Sequence, residues 1–360
     1  MKRRDFLVGG AAAGVATATL SAPAIAQGKQ TWKLVMPWPK NAPGVGVNAE
    51  RFAAMVTAMS DGRLTIKTFA GGELVPPFEV LDAVQNDVAQ IGHGTSYYNA
   101  GKAKALNYFT TVPFGLMAPE LQAWLRFGEG QALWDEIYGQ FNVVPFYAGS
   151  SGVQGGGWFA KELNGLDDLK GLKMRIAGLG GEVMRRLGVA VVMTPPGEIT
   201  TALLSGAVDA AEWVGPWNDI AFGLYKAAKY YYTPAFHEPG PSLEVIVNKD
   251  RWAELPDDLK EIVRRAAQAS SAEAFVDFAY HNIQTFGELD KYGVELRTWP
   301  EDVVQAMGKA TVEVLDEVAA TDDMTRKVHD SYMAYLKNAS RYQGWFDRRM
   351  MEMREEVWGA

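Results

Sequence analysis

The hydrophobic and polar positions of this chain repeat with the period of a strand in some segments and of a helix in others. Residues 31–36 alternate as a strand does, and residues 49–60 place their apolar side chains on one face of a helix. A strand at 63–69, a proline-opened helix at 77–87 and a strand at 88–94 follow. This alternation predicts an α/β fold on a mostly parallel sheet with helices on both faces.

Longer elements dominate the second half of the chain. Residues 256–292 keep helical periodicity after their opening proline, and a helix of that length reaches about 50 Å. We expect it to brace two lobes, because a chain of this length forms two lobes more readily than one sphere. A return strand at 294–299 and a helical tail at 300–359 complete the pattern. Further strand candidates are NVVPFYA, GGWFA, KMRIA, VAVVM, AAEWV and LEVIVN.

Composition and the N-terminus narrow the class of protein. The net charge is −8, which argues against nucleic acid as a partner. The chain has no cysteine, so its core must supply the stability without disulfides. Residues 1–26, MKRRDFLVGGAAAGVATATLSAPAIA, resemble a twin-arginine signal, with an ordinary N-terminal helix as the alternative. The signal predicts export to the periplasm.

A cation and a carboxylate stand at the ends of two predicted strands. Arg175 lies in LKMRIAG at the end of a short apolar strand, where its guanidinium could hold a carboxylate in a two-bond fork. Glu212 and Trp213 follow LLSGAVDAA, at the end of another predicted strand. With no nucleophile between them, these groups suit the binding of a small anion. The alternative for Arg175 is an arginine that snorkels from an edge strand.

Glu212 also predicts a cation site. A buried glutamate is rare unless it is paired or coordinates a cation, and an oxygen-lined site could combine its carboxylate with a main-chain carbonyl and a side-chain amide. Gln154, in the glycine-rich segment 150–158, could supply that amide. The alternative is an exposed Glu212 beside a core Trp213. Tyr98, with Asn218 and Glu238 similarly placed after strands, could line a cleft.

Two enzyme hypotheses have weak support. The four histidines show no metal-ligand spacing and there is no cysteine, so a catalytic zinc site is not expected. Residues 44–49, GVGVNA, match the G-x-G-x-x-A fingerprint of an NAD-dependent oxidoreductase. They lie too far beyond the first strand for the tight turn that this fingerprint requires, and no acidic residue ends the second strand.

Several segments together resemble a TRAP-transporter solute receptor of the DctP type. They are AGGELVPPFEVLDAVQNDVAQIGHGTSYYNAGK, LKGLKMRIAG and PPGEITTALLSGAVDAAEWVGPWND, together with the export signal and the helical tail. The resemblance runs from residue 31 to the C-terminus and is closest to the receptors for 2-oxo acids. It implies a two-lobed periplasmic binding protein fold with crossing segments, a long lobe-spanning helix and a helical tail. The expected division is 27–150 mainly lobe 1, 151–240 mainly lobe 2, 241–292 crossover strand and spanning helix, and 293–360 return strand and tail.

The resemblance also implies roles for single residues. Arg175 would hold the ligand carboxylate, and Gln154, Glu212 and the main-chain carbonyl of Trp213 would coordinate a cation, sodium ahead of calcium. The remaining pocket positions are Tyr98, Asn218 and Glu238. Three segments depart from the 2-oxo-acid branch and leave the ligand size open: NAGK after the tyrosines, PWND after EWVG, and FHEPGPS.

The expected protein is therefore not an enzyme but a receptor that binds a small 2-oxo or 2-hydroxy monocarboxylate with a cation and delivers it to a TRAP membrane permease. Cation and carboxylate should bind with positive coupling, because Arg175 and Glu212 nearly cancel in charge. One alternative is a receptor for a metal-independent ligand such as a uronate or dicarboxylate. The other is an exported oxidoreductase. The aromatic tail predicts a possible homodimer through the C-terminal helices.

Overall fold

The computed structural model describes residues 28–359; the predicted signal, residues 1–26, lies outside the described residues. Two sheets with helices packed around them form the fold, so the expected α/β class is confirmed. In chain order the strands are β1 (Gln30–Val35), β2 (Leu64–Phe69), β3 (Ile91–Gly94), β4 (Val143–Ser150), β5 (Gly157–Phe159), β6 (Lys173–Arg175), β7 (Ala190–Val192), β8 (Ala210–Ala211), β9 (Tyr230–Thr233), β10 (Ser242–Asn248) and β11 (Glu295–Thr298).

The helices alternate with these strands. In chain order they are α1 (Val45–Met59), α2 (Val80–Gln85), α3 (Ala118–Phe127), α4 (Gly130–Gly139), α5 (Gly178–Arg186), α6 (Ile199–Leu204), α7 (Pro216–Phe222), α8 (Lys249–Glu254), α9 (Asp257–Phe286), α10 (Glu301–Ala319), α11 (Asp323–Trp345) and α12 (Asp347–Trp358). Within residues 28–359 none of these helices is both long and apolar enough to cross a bilayer.

The two sheets are mixed, which corrects the expectation of a mostly parallel sheet. The first has the order β2-β1-β3-β10-β4 and the second β11-β9-β5-β8-β6-β7. β10 runs antiparallel to β3 and β4, and β5 runs antiparallel to β8 and β9. Each of these strands arrives from the other sheet through a short connection, 151–156 or 234–241. A parallel neighbour instead needs a crossover of a dozen or more residues.

α9 connects the two halves of the molecule. Its 30 residues span about 45 Å, and it packs on α1 and β4 beside the first sheet and on α7 beside the second. At α7, the Trp217 ring stacks on His281 with centroids 4.3 Å apart, and the Trp217 N–H donates to Asn282 Oδ1 across 3.0 Å. The expected lobe-spanning helix is therefore present, although it ends at Phe286 rather than near residue 292.

The C-terminal helices divide into a packed part and an uncovered part. Tyr332 on α11 is fully buried, and its hydroxyl accepts the Leu116 N–H across 2.8 Å. Further along, α12 buries no side chain. Large apolar residues remain exposed at this end of the chain: Tyr342, Trp345, Phe346, Met350, Met351, Val357 and Trp358.

Candidate ligand and cation site

Two neighbouring parallel strands bring Arg175 and Glu212 together. Arg175 ends β6 and lies opposite Ala211 of β8, and Glu212 is the next residue. The Glu212 N–H donates to the main-chain oxygen of Arg175 across 3.1 Å. Carboxyl ends of parallel strands meet at one edge of a sheet, which is where α/β proteins bind their ligands. The sequence predicts a basic and an acidic residue at two strand ends, and the parallel pairing of β6 with β8 explains why they lie side by side.

Arg175 and Glu212 form a buried ion pair. Each side chain is only 1% exposed, so an exposed Glu212 and a snorkelling Arg175 are both ruled out. Arg175 Nη1 donates to Glu212 Oε1 and, across 2.8 Å, to the Glu212 main-chain oxygen. The Ala177 N–H also donates to Oε1 across 3.1 Å. Burial raises the pKa of Glu212, but the charge of Arg175, the neighbouring His237 and the Ala177 N–H together outweigh it and hold that pKa below its usual value.

Several buried polar atoms around this pair have no hydrogen-bond partner among residues 28–359. Three of them are Arg175 Nη2, Glu212 Oε2 and Gln154 Oε1. An unsatisfied buried polar group costs about 1–3 kcal/mol, so three in one place indicate partners from outside the chain. The donor suits a carboxylate, and the two oxygen acceptors suit a hard cation. The donor set therefore fits the cation that the sequence predicts.

Main-chain hydrogen bonds hold Gln154 at this edge. Its N–H donates to the Glu238 oxygen across 3.2 Å, and the next N–H, from Gly155, donates to the Val214 oxygen across 3.0 Å. Gln154 Nε2 donates to Ser151 Oγ, which leaves the amide oxygen for another partner. The buried Trp213 ring lies 5.8 Å from the Arg175 guanidinium carbon, at cation–π distance. Residues 154, 213 and 238 are thus neighbours, as the sequence predicts.

A cavity of about 30 Å³ lies beside the ion pair. Its walls come from both sheets, because Tyr98 follows β3 and Gln154 precedes β5. The predicted site residues on the wall are Tyr98, Gln154, Trp213 and Glu238. Arg175 and Glu212 lie next to that wall.

Glu238 lies at the cavity wall. Burial raises its pKa well above the usual value, and the charge of Glu212 adds to that effect. The Tyr97 hydroxyl donates to Glu238 Oε1 across 3.0 Å. Burial also raises the pKa of Tyr98, against the charge of Arg175. The opposite charges of the paired Arg175 and Glu212 cancel.

Asn218 has a different position from the other predicted residues. It lies on α7 and is fully buried, and its Nδ2 donates to the Pro43 main-chain oxygen across 2.6 Å. Pro43 precedes α1, beside the first sheet, whereas α7 follows β8 of the second. Asn218 thus ties the two halves together, and it is not among the residues that line the described cavity.

Sequence reasoning missed His237. Its side chain is buried, its Nε2 lies 3.6 Å from Glu212 Oε2, and neither ring nitrogen has a hydrogen-bond partner within residues 28–359. The histidines were set aside because they lack ligand spacing along the chain. The available signal was the neighbouring pair His237–Glu238 after a strand. Tyr97, which neighbours the predicted Tyr98, donates its hydroxyl to Glu238.

The glycines of GVGVNA serve packing. Gly44 has φ 65°, and a Cβ there would lie 2.1 Å from the Phe278 ring of α9. A Cβ at Gly46 would lie 2.6 Å from the Pro39 oxygen. Glycine is required here for close approach to protein atoms, which removes the main support for a phosphate-binding loop.

Two lobes around a small cavity, with a buried ion pair beside it, indicate a solute-binding receptor. Residues 35–322 match the family of bacterial extracellular solute-binding proteins, family 7, known as DctP. This chain belongs to that family, whose members are periplasmic substrate-binding receptors of TRAP transporters. The prediction that it is not an enzyme is confirmed, and the oxidoreductase alternative is wrong.

Relatives extend along nearly the whole chain. A monocarboxylate 2-oxoacid-binding periplasmic protein of Nostoc sp. is 43% identical over 347 residues, 94% of each chain. A TRAP solute-binding protein of Pseudoalteromonas atlantica with bound sodium and pyruvate is 38% identical, with a TM-score of 0.87 over 90% of this chain and 99% of that one. A mixed occupancy dimer from Bordetella bronchiseptica, with calcium and picolinate, is 31% identical, with a TM-score of 0.90 over 92% and 98%.

Proposed function

We propose that this receptor binds a small 2-oxo or 2-hydroxy monocarboxylate together with a cation and delivers it to a TRAP permease. The observation that carries the proposal is the meeting of one unpartnered donor, Arg175 Nη2, with two unpartnered acceptors, Glu212 Oε2 and Gln154 Oε1. The relatives named for 2-oxo acids, or holding pyruvate with sodium, support the same ligand class.

Each residue then has a role in binding. Arg175 Nη2 donates to the ligand carboxylate, and Glu212 Oε2, Gln154 Oε1 and the Trp213 main-chain oxygen hold the cation. The positive charge of the cation would compensate the negative charges of Glu212 and of the ligand carboxylate. Tyr98 and Glu238 line the cavity, and the Tyr98 hydroxyl can donate to the ligand's keto or hydroxyl oxygen.

Charge balance requires the two ligands to bind together. The charges of Arg175 and Glu212 cancel, so a carboxylate alone would add an uncompensated buried negative charge. A monovalent cation brings the total to zero. Because burying an uncompensated charge is costly, each ligand raises the affinity for the other. Sodium satisfies this balance, and calcium satisfies it with one further acid ionised.

Closure of the lobes would signal the bound state. The cavity walls come from both sheets, so a ligand that contacts both favours the closed form, which the permease would recognise. We assign residues 27–150 mainly to lobe 1 and 151–240 mainly to lobe 2, with 241–292 crossing between them and 293–360 forming the return strand and tail. Asn218 would act in closure through Pro43 rather than through the ligand.

Export and assembly complete the proposal. A twin-arginine signal at residues 1–26, which lies outside the described residues, would carry the folded receptor to the periplasm. The exposed apolar side chains of α11 and α12 would pair with those of a second copy. The dimer of the Bordetella bronchiseptica relative supports such pairing.

Isothermal titration with pyruvate tests the proposal. We expect binding in sodium chloride, and weaker binding when tetramethylammonium replaces sodium and a chelator removes calcium. Equal affinity in both buffers would contradict the cation site and favour the metal-independent alternative, which titration with a uronate and a dicarboxylate would then identify. Mass spectrometry of ligand retained by gently purified protein would name the acid.

A further inference from the structure

His237 is a buried group that the proposed binding of pyruvate and sodium does not use. Its side chain is inaccessible to solvent, and both ring nitrogens lack hydrogen-bond partners within residues 28–359. A buried imidazole normally has a partner, because leaving a polar group unsatisfied is costly. The nearest acceptor, Glu212 Oε2, lies 3.6 Å from His237 Nε2, beyond hydrogen-bond distance, and is itself unpartnered.

This separation suits two ligands of one metal ion. Bonds of about 2.1 Å from a metal to nitrogen and to oxygen, at a tetrahedral angle, place the two ligand atoms about 3.4 Å apart. Glu238 supplies a third ligand, since an oxygen of Glu212, a nitrogen of His237 and an oxygen of Glu238 all lie within 4.8 Å of one another. Small side-chain rotations would bring these three atoms onto one ion.

The backbone also fixes the imidazole in place. A Cβ at residue 180, in the first turn of α5, would lie 2.4 Å from His237 Cβ, so only glycine lets the histidine approach α5 this closely. The Phe236 ring contacts the imidazole edge-on, with centroids 5.2 Å apart. A ligand held this firmly loses little entropy when it binds a metal.

The identity of the donor decides the class of metal. Sodium and calcium take oxygen ligands, which describes Glu212 and Gln154 but not His237. Imidazole nitrogen is a preferred ligand of zinc, cobalt, nickel and copper. We propose that His237, Glu212 and Glu238 form a nitrogen-containing site for a divalent transition metal ion such as Zn²⁺ or Co²⁺. This inference rests on the proposed function, and it means that the receptor also binds its 2-oxo acid as a complex with that metal ion.

Titration with metal alone tests the site without pyruvate. The chelator-treated receptor is titrated with Co²⁺ by visible absorbance and with Zn²⁺ by calorimetry. Two variants, His237→Gln and His237→Asn, remove the nitrogen ligand while circular dichroism checks their folding. The matched control is His281→Gln, because His281 pairs with Asp277 at 3.4 Å on the exposed side of α9 and could bind metal adventitiously. X-ray absorption on the zinc-loaded wild-type receptor tests for imidazole without any variant.

We expect the affinity for both metals to fall at least about tenfold in each His237 variant, and to stay at the wild-type value in His281→Gln. Wild-type affinity in the His237 variants, an equal loss in His281→Gln, or no imidazole in the absorption spectrum would overturn the inference. An equal loss in His281→Gln, or a spectrum without imidazole, would mean that His237 faces the Glu212 carboxylate without binding a metal. Separate pyruvate titrations in sodium chloride report on the proposed function. Pyruvate binding with sodium but no cobalt binding refutes only this site.

Discussion

Arg175 Nη1 donates a 2.8 Å hydrogen bond to the main-chain oxygen of Glu212, in addition to its bond with the Glu212 carboxylate. The residue proposed to bind the anion and the residue proposed to bind the cation therefore hold each other in place. Because Nη1 is engaged twice and Nε donates to the Thr194 oxygen across 3.4 Å, only Nη2 remains free for the substrate, whereas the sequence predicts a two-bond fork. A fork would require Nη1 to leave Glu212 or Nε to leave Thr194.

Replacing Arg175 should affect both folding and binding. Arg175→Met leaves the Glu212 carboxylate buried without its partner, which should lower the free energy of unfolding by about 3–5 kcal/mol. It should also abolish measurable pyruvate binding. Chemical denaturation and calorimetry check the two effects. As a control, Arg185→Met on the exposed side of α5 should change the free energy of unfolding by less than about 0.5 kcal/mol.

A double variant separates these effects. Combining Arg175→Met with Glu212→Gln removes both charges, so most of the lost stability should return while pyruvate binding does not. A double variant as unstable as Arg175→Met would show that charge pairing is not the source of the instability.

Glu212→Gln alone should change the requirement for a cation. Without the Glu212 charge, the buried site carries the net positive charge of Arg175, so a carboxylate can bind without sodium. We expect similar pyruvate affinity in sodium chloride and in tetramethylammonium chloride, measured by calorimetry. The exposed control Glu182→Gln should retain the cation dependence of the wild type. A Glu212→Gln receptor that still needs sodium would contradict the assigned role.

Asn218→Ala should favour the open form. It removes the 2.6 Å hydrogen bond to the Pro43 oxygen, worth about 1 kcal/mol, so the closed-to-open ratio should fall about fivefold. Small-angle scattering should give a larger radius of gyration for this variant without ligand. Asn338→Ala, at an exposed position of α11, provides the control and should scatter as the wild type does. Identical scattering from all three proteins would show that Asn218 does not stabilise the closed form.

Stability should fall as the pH rises from about 4.5 to about 7. Burial raises the pKa of Glu244 from 4.5 to about 7, although Ser96 and Tyr138 donate to its carboxylate. Between these values the unfolded chain releases a proton that the folded chain retains, so the free energy of unfolding decreases with pH. Glu244→Gln should remove up to about 3 kcal/mol of this decrease between pH 5 and pH 8, measured by denaturation. Asp219, whose pKa burial also raises to about 7, should sustain the remainder.

Deleting α12 should alter the oligomeric state. Its exposed Trp358 and methionines, with Trp345 and Phe346 before it, offer an apolar surface for a second copy. We expect light scattering to give a dimer for the full receptor and a monomer after truncation at residue 346. A monomeric full-length receptor would refute the proposed pairing.

The sequence was sufficient for elements whose pattern is local. The strand preceding Glu212 is a short apolar run, and its parallel pairing with the strand that ends in Arg175 agrees with the helices between them. Strand β9 was missed, because Tyr230–Thr233 is a short aromatic run without alternation. β5 and β10 run antiparallel to their neighbours because the chain crosses from one sheet to the other before each of them. The hydrophobic periodicity of a single segment does not reveal such a crossing.

The site was predicted only as far as residue types permit. The residue types of Arg175 and Glu212 indicate anion and cation binding, but their direct hydrogen bond depends on the register of β6 and β8. The role of Asn218 depends on the packing of α7 against the segment before α1. His237 acquires a possible function only through its 3.6 Å approach to Glu212. Such distances arise from tertiary packing and are invisible along the chain.

The glycine at position 44 has an evolutionary consequence. Because Gly44 has φ 65° and the Phe278 ring occupies the place of its Cβ, a larger residue at 44 requires both a smaller residue at 278 and a change in the local backbone. Phe278 also lines the cavity and meets Trp217 edge-on, with ring centroids 5.7 Å apart. Diverging relatives should therefore exchange residues 44, 217 and 278 as a set, and a change in that set should accompany a change in the size of the acid they carry.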